Sequence, residues 1–392
     1  MMNPDLLIVG PSVRAAAASA IRAGLQPHCV DLFADSDLVR ACVCRRMAMD
    51  QYPQALPAEL AKLPRMPYMF LGGLENQWSI LDAIDRPRWG MQSKTLRNLR
   101  DPLLMGARFV TAGLWPIPVF HWDASISNFD PDCTWLLKPR HGAAGHGVRF
   151  VQPGEPFDTQ THLVQKYVEG APASAVFAAS SSGRPRLLGV TRQLIGTPWL
   201  RSSGFRYAGN VGPWPVSQAV VELLEKAARM LPRSAFSPEL RGLFGIDFIL
   251  RDHAEAFDKV SMVEVNPRYP ASVEVLERTS GDAFLVHHRA AFDPADVLPM
   301  RRSPSAKFAG KGILYAKETL EFPKRGPWME AFDYALDDLA VPYADIPHPG
   351  DRIEKGQPVL TMFASADDHA ACMDRLREKA AFVEDRLFSA AK

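Results

Sequence analysis

An excess of charge of either sign is missing from this 392-residue chain, in which 45 lysines and arginines face 44 aspartates and glutamates for a formal charge of +1. Phosphate backbones are bound by clustered cations, so this balance argues against nucleic acid as the main partner. Long apolar runs are missing too. The first, residues 6–9, is far shorter than a membrane span or a signal-peptide core, and no basic segment precedes it, so a cytoplasmic protein without a membrane partner is expected. Cysteine is sparse: the five scattered residues Cys29, Cys42, Cys44, Cys133 and Cys372 suit reduced thiols, and no second Cys or His pair follows Cys42-Val-Cys44 at zinc spacing. The dinucleotide fingerprint G-x-G-x-x-G is absent as well. A single glycine, Gly10, follows the first apolar strand, which ranks an NAD-dependent oxidoreductase last among the enzyme classes considered.

What is present is the material of a globular protein of two or three domains, 47% hydrophobic and 23% charged. Residues 6–9 and 27–31 read as strands flanking an Ala-rich helix, with Ser12 as its N-cap and Gly24 as its stop, and residues 38–43 read as a third strand. This β-α-β opening defines an N-terminal α/β domain over residues 1–90. Residues 94–113 read as a helix broken at Pro102, followed by short strand-like segments at 135–138, 149–151, 162–168, 174–179 and 186–194. Val216, Val220, Leu223, Leu224, Ala227 and Leu231 repeat at helical spacing, and two further strands carry the acidic residues described next. Residues 272–279 and 282–291 read as helices, a polar connection spans 293–307, and the strands 312–315, 351–353 and 359–363 with a terminal helix make a small closing unit over 301–392.

The most informative stretch is Met262-Val-Glu264-Val-Asn266-Pro-Arg268, read with Gly245-Ile-Asp247. In a strand, residues i and i+2 share a face, so Glu264 and Asn266 point the same way, and Asp247 joins them if its strand pairs alongside. Three hard oxygen donors of this kind suit magnesium, with manganese as a substitute, and magnesium usually binds through one or two carboxylates plus nucleotide phosphates. The second informative stretch is Lys138-Pro-Arg-His-Gly142-Ala-Ala-Gly145-His-Gly147, in which a lysine ends a strand and three glycines permit a tight loop aimed at an anion. It is not a Walker loop, because the lysine precedes the glycines and a strand follows. On its own this cluster equally describes a tight hairpin.

In combination, Lys138 with its glycine loop, the segment Val164-Gln165-Lys166-Tyr167-Val168, the Gly245-Ile-Asp247 strand and Glu264-Val-Asn266-Pro-Arg268 resemble the ATP-grasp superfamily in order and spacing. The resemblance implies an ATP-grasp fold of α/β and α+β character: a Rossmann-like N-terminal domain over residues 1–90, a nucleotide-binding domain over 91–300 with a small lobe near 115–170, and the C-terminal β-rich unit. It also implies site residues. Lys94 and Lys138 would hold the α- and β-phosphates of ATP, and the loop of Gly142, Gly145 and Gly147 would close over the β- and γ-phosphates. Gln165 stands at the usual glutamate position beside the adenine, with Lys166 and Val168 offering backbone groups to its edge. Asp247, Glu264 and Asn266 match the metal ligands, while Arg268 and, on a neighbouring strand, Arg192 match cations facing the transferred phosphoryl group. One departure is plain: the acid that in several relatives binds the ribose is replaced by Gly170-Ala-Pro-Ala-Ser174, leaving that contact to backbone or to Ser174.

Within the superfamily, residues 9–14, 31–38, Gly209-Asn-Val-Gly-Pro213 and Asp345-Ile-Pro347 resemble predicted ATP-dependent carboligases associated with one-carbon metabolism, in tetrahydromethanopterin or methylofuran cofactor biosynthesis. The implied chemistry is ATP-dependent joining of a small-molecule carboxylate to an amine or related nucleophile through an acylphosphate, with release of ADP and phosphate, by a homodimer. The alternatives are a phosphotransferase of the same fold and a non-catalytic ATP-binding module. Ser12 and Arg14, at the carboxyl edge of the first strand, are the expected place for a small ligand. Capping and a solvated first turn account for them equally well.

Overall fold

A computed structural model describes residues 5–111, 113–120, 132–152, 155–231, 240–251, 260–293 and 307–389. The N-terminal unit is a four-stranded parallel sheet of β1 (Leu6–Gly10), β2 (Pro27–Asp31), β3 (Val43–Arg46) and β4 (Tyr68–Phe70), in the order β3-β2-β1-β4. Every residue of β1 and β2 is buried, as expected for strands covered on both faces. Helix α1 (Arg14–Arg22) connects them and stops at Gly24, whose φ of 76° suits a residue without Cβ. Its amino end is not capped by Ser12. Instead Asp31 Oδ2 accepts from the Val13 amide at 2.6 Å. Helix α2 (Ser36–Ala41) takes up most of the segment expected as the third strand, with Leu38 buried in the apolar core, and β3 begins only at Val43, five residues later than expected. Helices α3 (Leu56–Ala61) and α4 (Trp78–Asp82) complete this unit.

Helices α5 (Ser93–Arg100) and α6 (Pro102–Thr111), separated at Pro102, lead into the rest of the chain. The strands β5 (Trp115–Pro116), β10 (Ala171–Ala179), β11 (Pro185–Ile195), β12 (Tyr207–Gly212), β13 (Gly242–Leu250), β14 (Val260–Asn266), β15 (Phe308–Tyr315), β17 (Tyr343–Ala344) and β19 (Pro358–Ala366) form one nine-stranded sheet in the order β17-β19-β15-β12-β11-β10-β13-β14-β5. The C-terminal strands therefore extend the same sheet instead of standing apart. A separate antiparallel sheet, β6-β9-β7-β8, is built from β6 (Val119–Phe120), β7 (Trp135–Pro139), β8 (Arg149–Val151) and β9 (His162–Lys166). The two-stranded ribbon of β16 (Leu320–Glu321) and β18 (Arg352–Ile353) lies outside both. Strand β12, with Gly209 and Gly212 inside it, does not read as a strand from its sequence.

The large sheet is covered by α7 (Gln218–Met230), α8 (Val273–Ser280), α9 (Leu285–Phe292) and α10 (His369–Ser389). Ser217 caps α7 by accepting from the Val220 amide at 3.4 Å, and Val220, Leu224 and Ala227 are its buried stripe. Cys372, Leu376, Ala380, Val383 and Leu387 of α10 are buried in the C-terminal core. Among the described residues no helix is long and apolar enough to cross a membrane.

A buried ionic network fastens the N-terminal sheet to the large one. Arg14 forks onto Glu274 of α8 and lies 3.0 Å from Asp345, while Lys311 of β15 reaches Glu274 at 2.8 Å. Asp37 of α2 accepts from the amides of Asp345 and Ile346, both at 3.0 Å. Burial works against the charge on Glu274, yet Arg14 and Lys311 hold its carboxyl well below the usual range. Arg14 is thus committed to protein contacts, so the small-ligand role expected of it does not fit. Arg14→Ala would leave buried carboxylates short of a partner, and we expect a loss of about 3 kcal/mol in unfolding free energy. Urea denaturation measures it, and an unchanged midpoint would contradict the account.

Candidate active site

Strands β13 and β14 pair antiparallel, with Asp247 opposite Glu264 and Gly245 opposite Asn266. Residues directly opposite share a face, so all three oxygen-bearing side chains meet on one side of the sheet. The register shifts between Asp247 and Phe248, beside the acidic pair, as bulges do where a side chain must be re-aimed. The Asn266 amide nitrogen donates to Asp247 Oδ2 at 2.8 Å and lies 3.4 Å from Glu264 Oε1, so both carboxylates converge on one point.

The small antiparallel sheet forms the roof. In β7 and β9, Trp135, Leu137 and Val164 turn into its own core, while Leu136, Lys138, Leu163 and Gln165 line the cleft below. This follows from strand alternation, since Leu136 is opposite Gln165 and Lys138 opposite Leu163. Lys138 Nζ donates to Gln165 Oε1 at 2.9 Å. Lys166 and Val168, at the crossing from roof to floor, also line the cleft, and the Lys166 amide is engaged by the Pro118 carbonyl at 2.9 Å. The enclosed space is about 440 Å³, in the range of small-molecule sites.

The glycine loop closes one end of the cleft. Gly145 and Gly147 adopt φ of 72° and 76°, and a Cβ on Gly145 would stand 1.8 Å from the Phe205 carbonyl oxygen, so only glycine lets the loop approach that turn. The Ala144 carbonyl accepts from the Tyr207 amide at 3.0 Å, which ties the loop to β12. Gly142, Ala143, Ala144, Gly145 and His146 face the cleft.

Three cations surround the acidic pair. Lys138 comes from the roof, Arg268 from the turn after β14, and Arg100 from the end of α5, with Nη1 at 3.3 Å from Glu264 Oε2. Arg268 is held by Glu75, whose Oε1 accepts from Nε at 2.9 Å and which belongs to the turn after β4. Burial, then the charge of Glu264, pushes the Asp247 carboxyl up to about 6, against hydrogen bonds from Ser174 and Gln193 and the charge of Arg268. Burial also opposes ionisation of Glu264, but Arg100, Lys138 and Arg268 outweigh it and hold that carboxyl below its ordinary value. Lys138 is lowered, by burial first and by Arg100, while Glu264 and Asp247 oppose the shift. Among the described residues no three of His, Cys, Asp and Glu gather closely enough to hold a metal unaided. Two carboxylates and an amide fit a cation that draws its remaining ligands from water and phosphate, as magnesium does.

Residues 113–272 match the model of the ATP-grasp domain. The fold is the ATP-grasp fold. Solved structures extend the likeness of fold beyond that segment. An L-amino acid ligase from Bacillus licheniformis superposes with a TM-score of 0.65 at 15% identity, covering 97% of this chain and 98% of the other. N5-carboxyaminoimidazole ribonucleotide synthetase from Thermus thermophilus gives 0.64 at 14% identity over 97% and 98%. The biotin carboxylase domain of the Hydrogenobacter thermophilus 2-oxoglutarate carboxylase, a dimer in complex with MgADP, ADP and bicarbonate, gives 0.67 at 13% identity over 96% and 90%. No curated protein matches in sequence.

Within the ATP-grasp cleft the structure gathers Lys138, Gly142, Gly145, Gln165, Lys166, Val168, Asp247, Glu264, Asn266 and Arg268. Gly147 shapes the loop but stands outside the lining. Two expected cations lie elsewhere. Lys94 is exposed near the start of α5, six residues before the side chain that this helix delivers to the cleft, Arg100. Six residues advance an α-helix by about 240° beyond a full turn, so the two side chains leave on different faces. Arg192 pairs in register with Ala173 and Val211 on the reverse face of the sheet, where its guanidinium lies 5.2 Å from the Trp214 ring centroid. Its neighbour Gln193 takes the cleft position beside Asp247. Ser174 also faces Asp247 and Ser272, at the acidic end and not beside the crossing strand. Arg100, Gln193, Glu75 and Asn76 carry no motif. The one available signal was the position of Glu75 and Asn76 just after Gly72-Gly73, at the carboxyl end of a parallel strand.

Lys138→Ala should weaken MgADP binding about tenfold or more, the loss of one charge-assisted contact. Arg192→Ala should leave it within about twofold, as for a site outside the cleft. Calorimetric titration separates them, and equal losses would contradict the placement.

Proposed function

We propose that the chain is an ATP-dependent ligase that joins a carboxylate to an amine or related nucleophile through an acylphosphate, releasing ADP and phosphate. The observation that carries this reading is the convergence of Asp247, Glu264 and Asn266 with Lys138, Arg268 and the glycine loop around one cleft of an ATP-grasp fold. Gln165, Lys166 and Val168 receive the adenine, and Leu136, Leu163 and Ile249 enclose it. A divalent cation held by Asp247, Glu264 and Asn266, magnesium or in its place manganese, would supply charge compensation at the phosphoryl oxygens.

Phosphoryl transfer depends chiefly on positioning and on cations around the equatorial oxygens, which is the role of Lys138 and Arg268. A carboxylate oxygen bonds to the γ-phosphorus as the bond to the β-phosphate oxygen breaks and ADP leaves. The nucleophile then bonds to the acyl carbon, phosphate departs, and the amine gives up a proton to solvent. The glycine loop excludes water from the acylphosphate. The acceptor carboxylate enters where Pro11 and Gly72 of the N-terminal unit face Arg268. Similarity of the fold to an amino acid ligase and a carboxyaminoimidazole ribonucleotide synthetase supports ligase chemistry, and the dimeric biotin carboxylase neighbour supports a homodimer. A setting in one-carbon cofactor biosynthesis rests on the residue resemblance alone.

A screen of carboxylate and amine pairs should give amine-dependent release of ADP, and hydroxylamine should trap the acylphosphate as a hydroxamate. Glu264→Gln should lower that turnover by about a hundredfold or more, the scale of removing one electrostatic contributor to a transition state, with the fold intact by circular dichroism. AMP as the product nucleotide would overturn the acylphosphate route, and a stable phosphorylated product inert to hydroxylamine would indicate a phosphotransferase instead.

A further inference from the structure

Arg100 links the acidic floor to the glycine loop and to the N-terminal unit. Its Nη1 lies 3.3 Å from Glu264 Oε2, 3.1 Å from the Val265 carbonyl and 3.5 Å from Asn266 Oδ1. Nη2 donates to the Gly142 carbonyl at 3.3 Å, and Nε to Asn76 Oδ1 at 3.1 Å. The other end of the Asn76 amide donates to the His141 carbonyl at 3.2 Å. One guanidinium, only 7% exposed, therefore spans the acidic floor, the first residues of the glycine loop and the N-terminal unit.

A planar guanidinium with a fixed fork can hold such a set together, whereas a lysine presents a single point of charge. The contacts to Glu264 and Asn266 use the oxygens that the proposed metal site needs. From these distances we infer that Arg100 is a positioning residue that competes with the divalent cation for Glu264 and Asn266 and couples that competition to the glycine loop through Gly142. The inference rests on the reading of Asp247, Glu264 and Asn266 as cation ligands. Arg100 is the largest charge drawing Glu264 toward its ionised form, after the opposing effect of burial, in keeping with this role.

The test measures Mn²⁺ binding to nucleotide-free full-length protein by electron paramagnetic resonance, alongside hydrogen exchange of residues 140–147. Arg100→Gln removes the competing charge and should tighten Mn²⁺ binding about tenfold, while exchange in the loop accelerates. A merely structural arginine would give unchanged or weaker Mn²⁺ binding. Arg100→Lys keeps the charge and loses the fork, so it should keep wild-type Mn²⁺ affinity yet share the faster loop exchange. Equal Mn²⁺ affinity in wild type and Arg100→Gln, or weaker binding in the variant, would overturn the competition. Loop exchange unchanged in both variants would overturn the coupling. Should Arg100→Gln fail to fold, Arg100→Lys still decides: a change in Mn²⁺ affinity or an unaltered loop refutes the proposal. Binding of MnADP to the wild type is measured in parallel, and its failure would sink the cation-ligand reading itself, separately from the role of Arg100.

Discussion

The structure of this site depends on one electrostatic constraint: Asp247 and Glu264 stand opposite each other on paired strands, half-buried in the floor of the cleft. Two carboxylates so placed resist joint ionisation unless cations are close. Lys138, Arg100 and Arg268 meet that need, and each arrives from a different part of the chain: the roof sheet, the helix after the N-terminal unit, and the turn after β14. The same positive charge that tolerates the pair suits an anionic phosphate chain. A site arranged in this way would be preorganised for the proposed nucleotide.

The N-terminal unit is part of this arrangement and not an appendage. Glu75 fixes the guanidinium of Arg268, and Asn76 holds both Arg100 and the His141 carbonyl. Those two residues follow β4 directly, so the position of the whole parallel sheet reaches the cleft through a single turn. On the far side, Arg14, Glu274, Lys311 and Asp345 lock the sheet against α8 and the C-terminal strands. Stability of the assembly and geometry of the cleft therefore share a mechanical cause, although the residues responsible are different.

Strand alternation made the acidic floor legible in the sequence, because Glu264 and Asn266 are two apart and Asp247 needed only an adjacent strand. The lysine and glycine pattern of residues 138–147 was equally plain, since few roles demand three glycines after a strand-ending lysine. Arg192 lies on the reverse face for the same geometric reason that makes the floor legible. A shift of one residue along a strand reverses the face, and the face of β11 is set by its register against β10, which no local pattern reveals. Lys94 and Arg100 show the helical equivalent, in which the surface that meets the cleft depends on how α5 packs. Glycine-bearing β12 and the helical α2 illustrate tertiary packing overriding local propensity.

The central claim is that one cleft takes a metal-bound nucleotide between the roof strands and the acidic floor. A crystal structure of the protein with MgADP tests it most directly. The account predicts the cation bound by Asp247, Glu264 and Asn266, phosphate oxygens within reach of Lys138, and the adenine edge against Lys166 and Val168. Nucleotide bound elsewhere, or bound in the cleft with the cation away from that acidic pair, would contradict it.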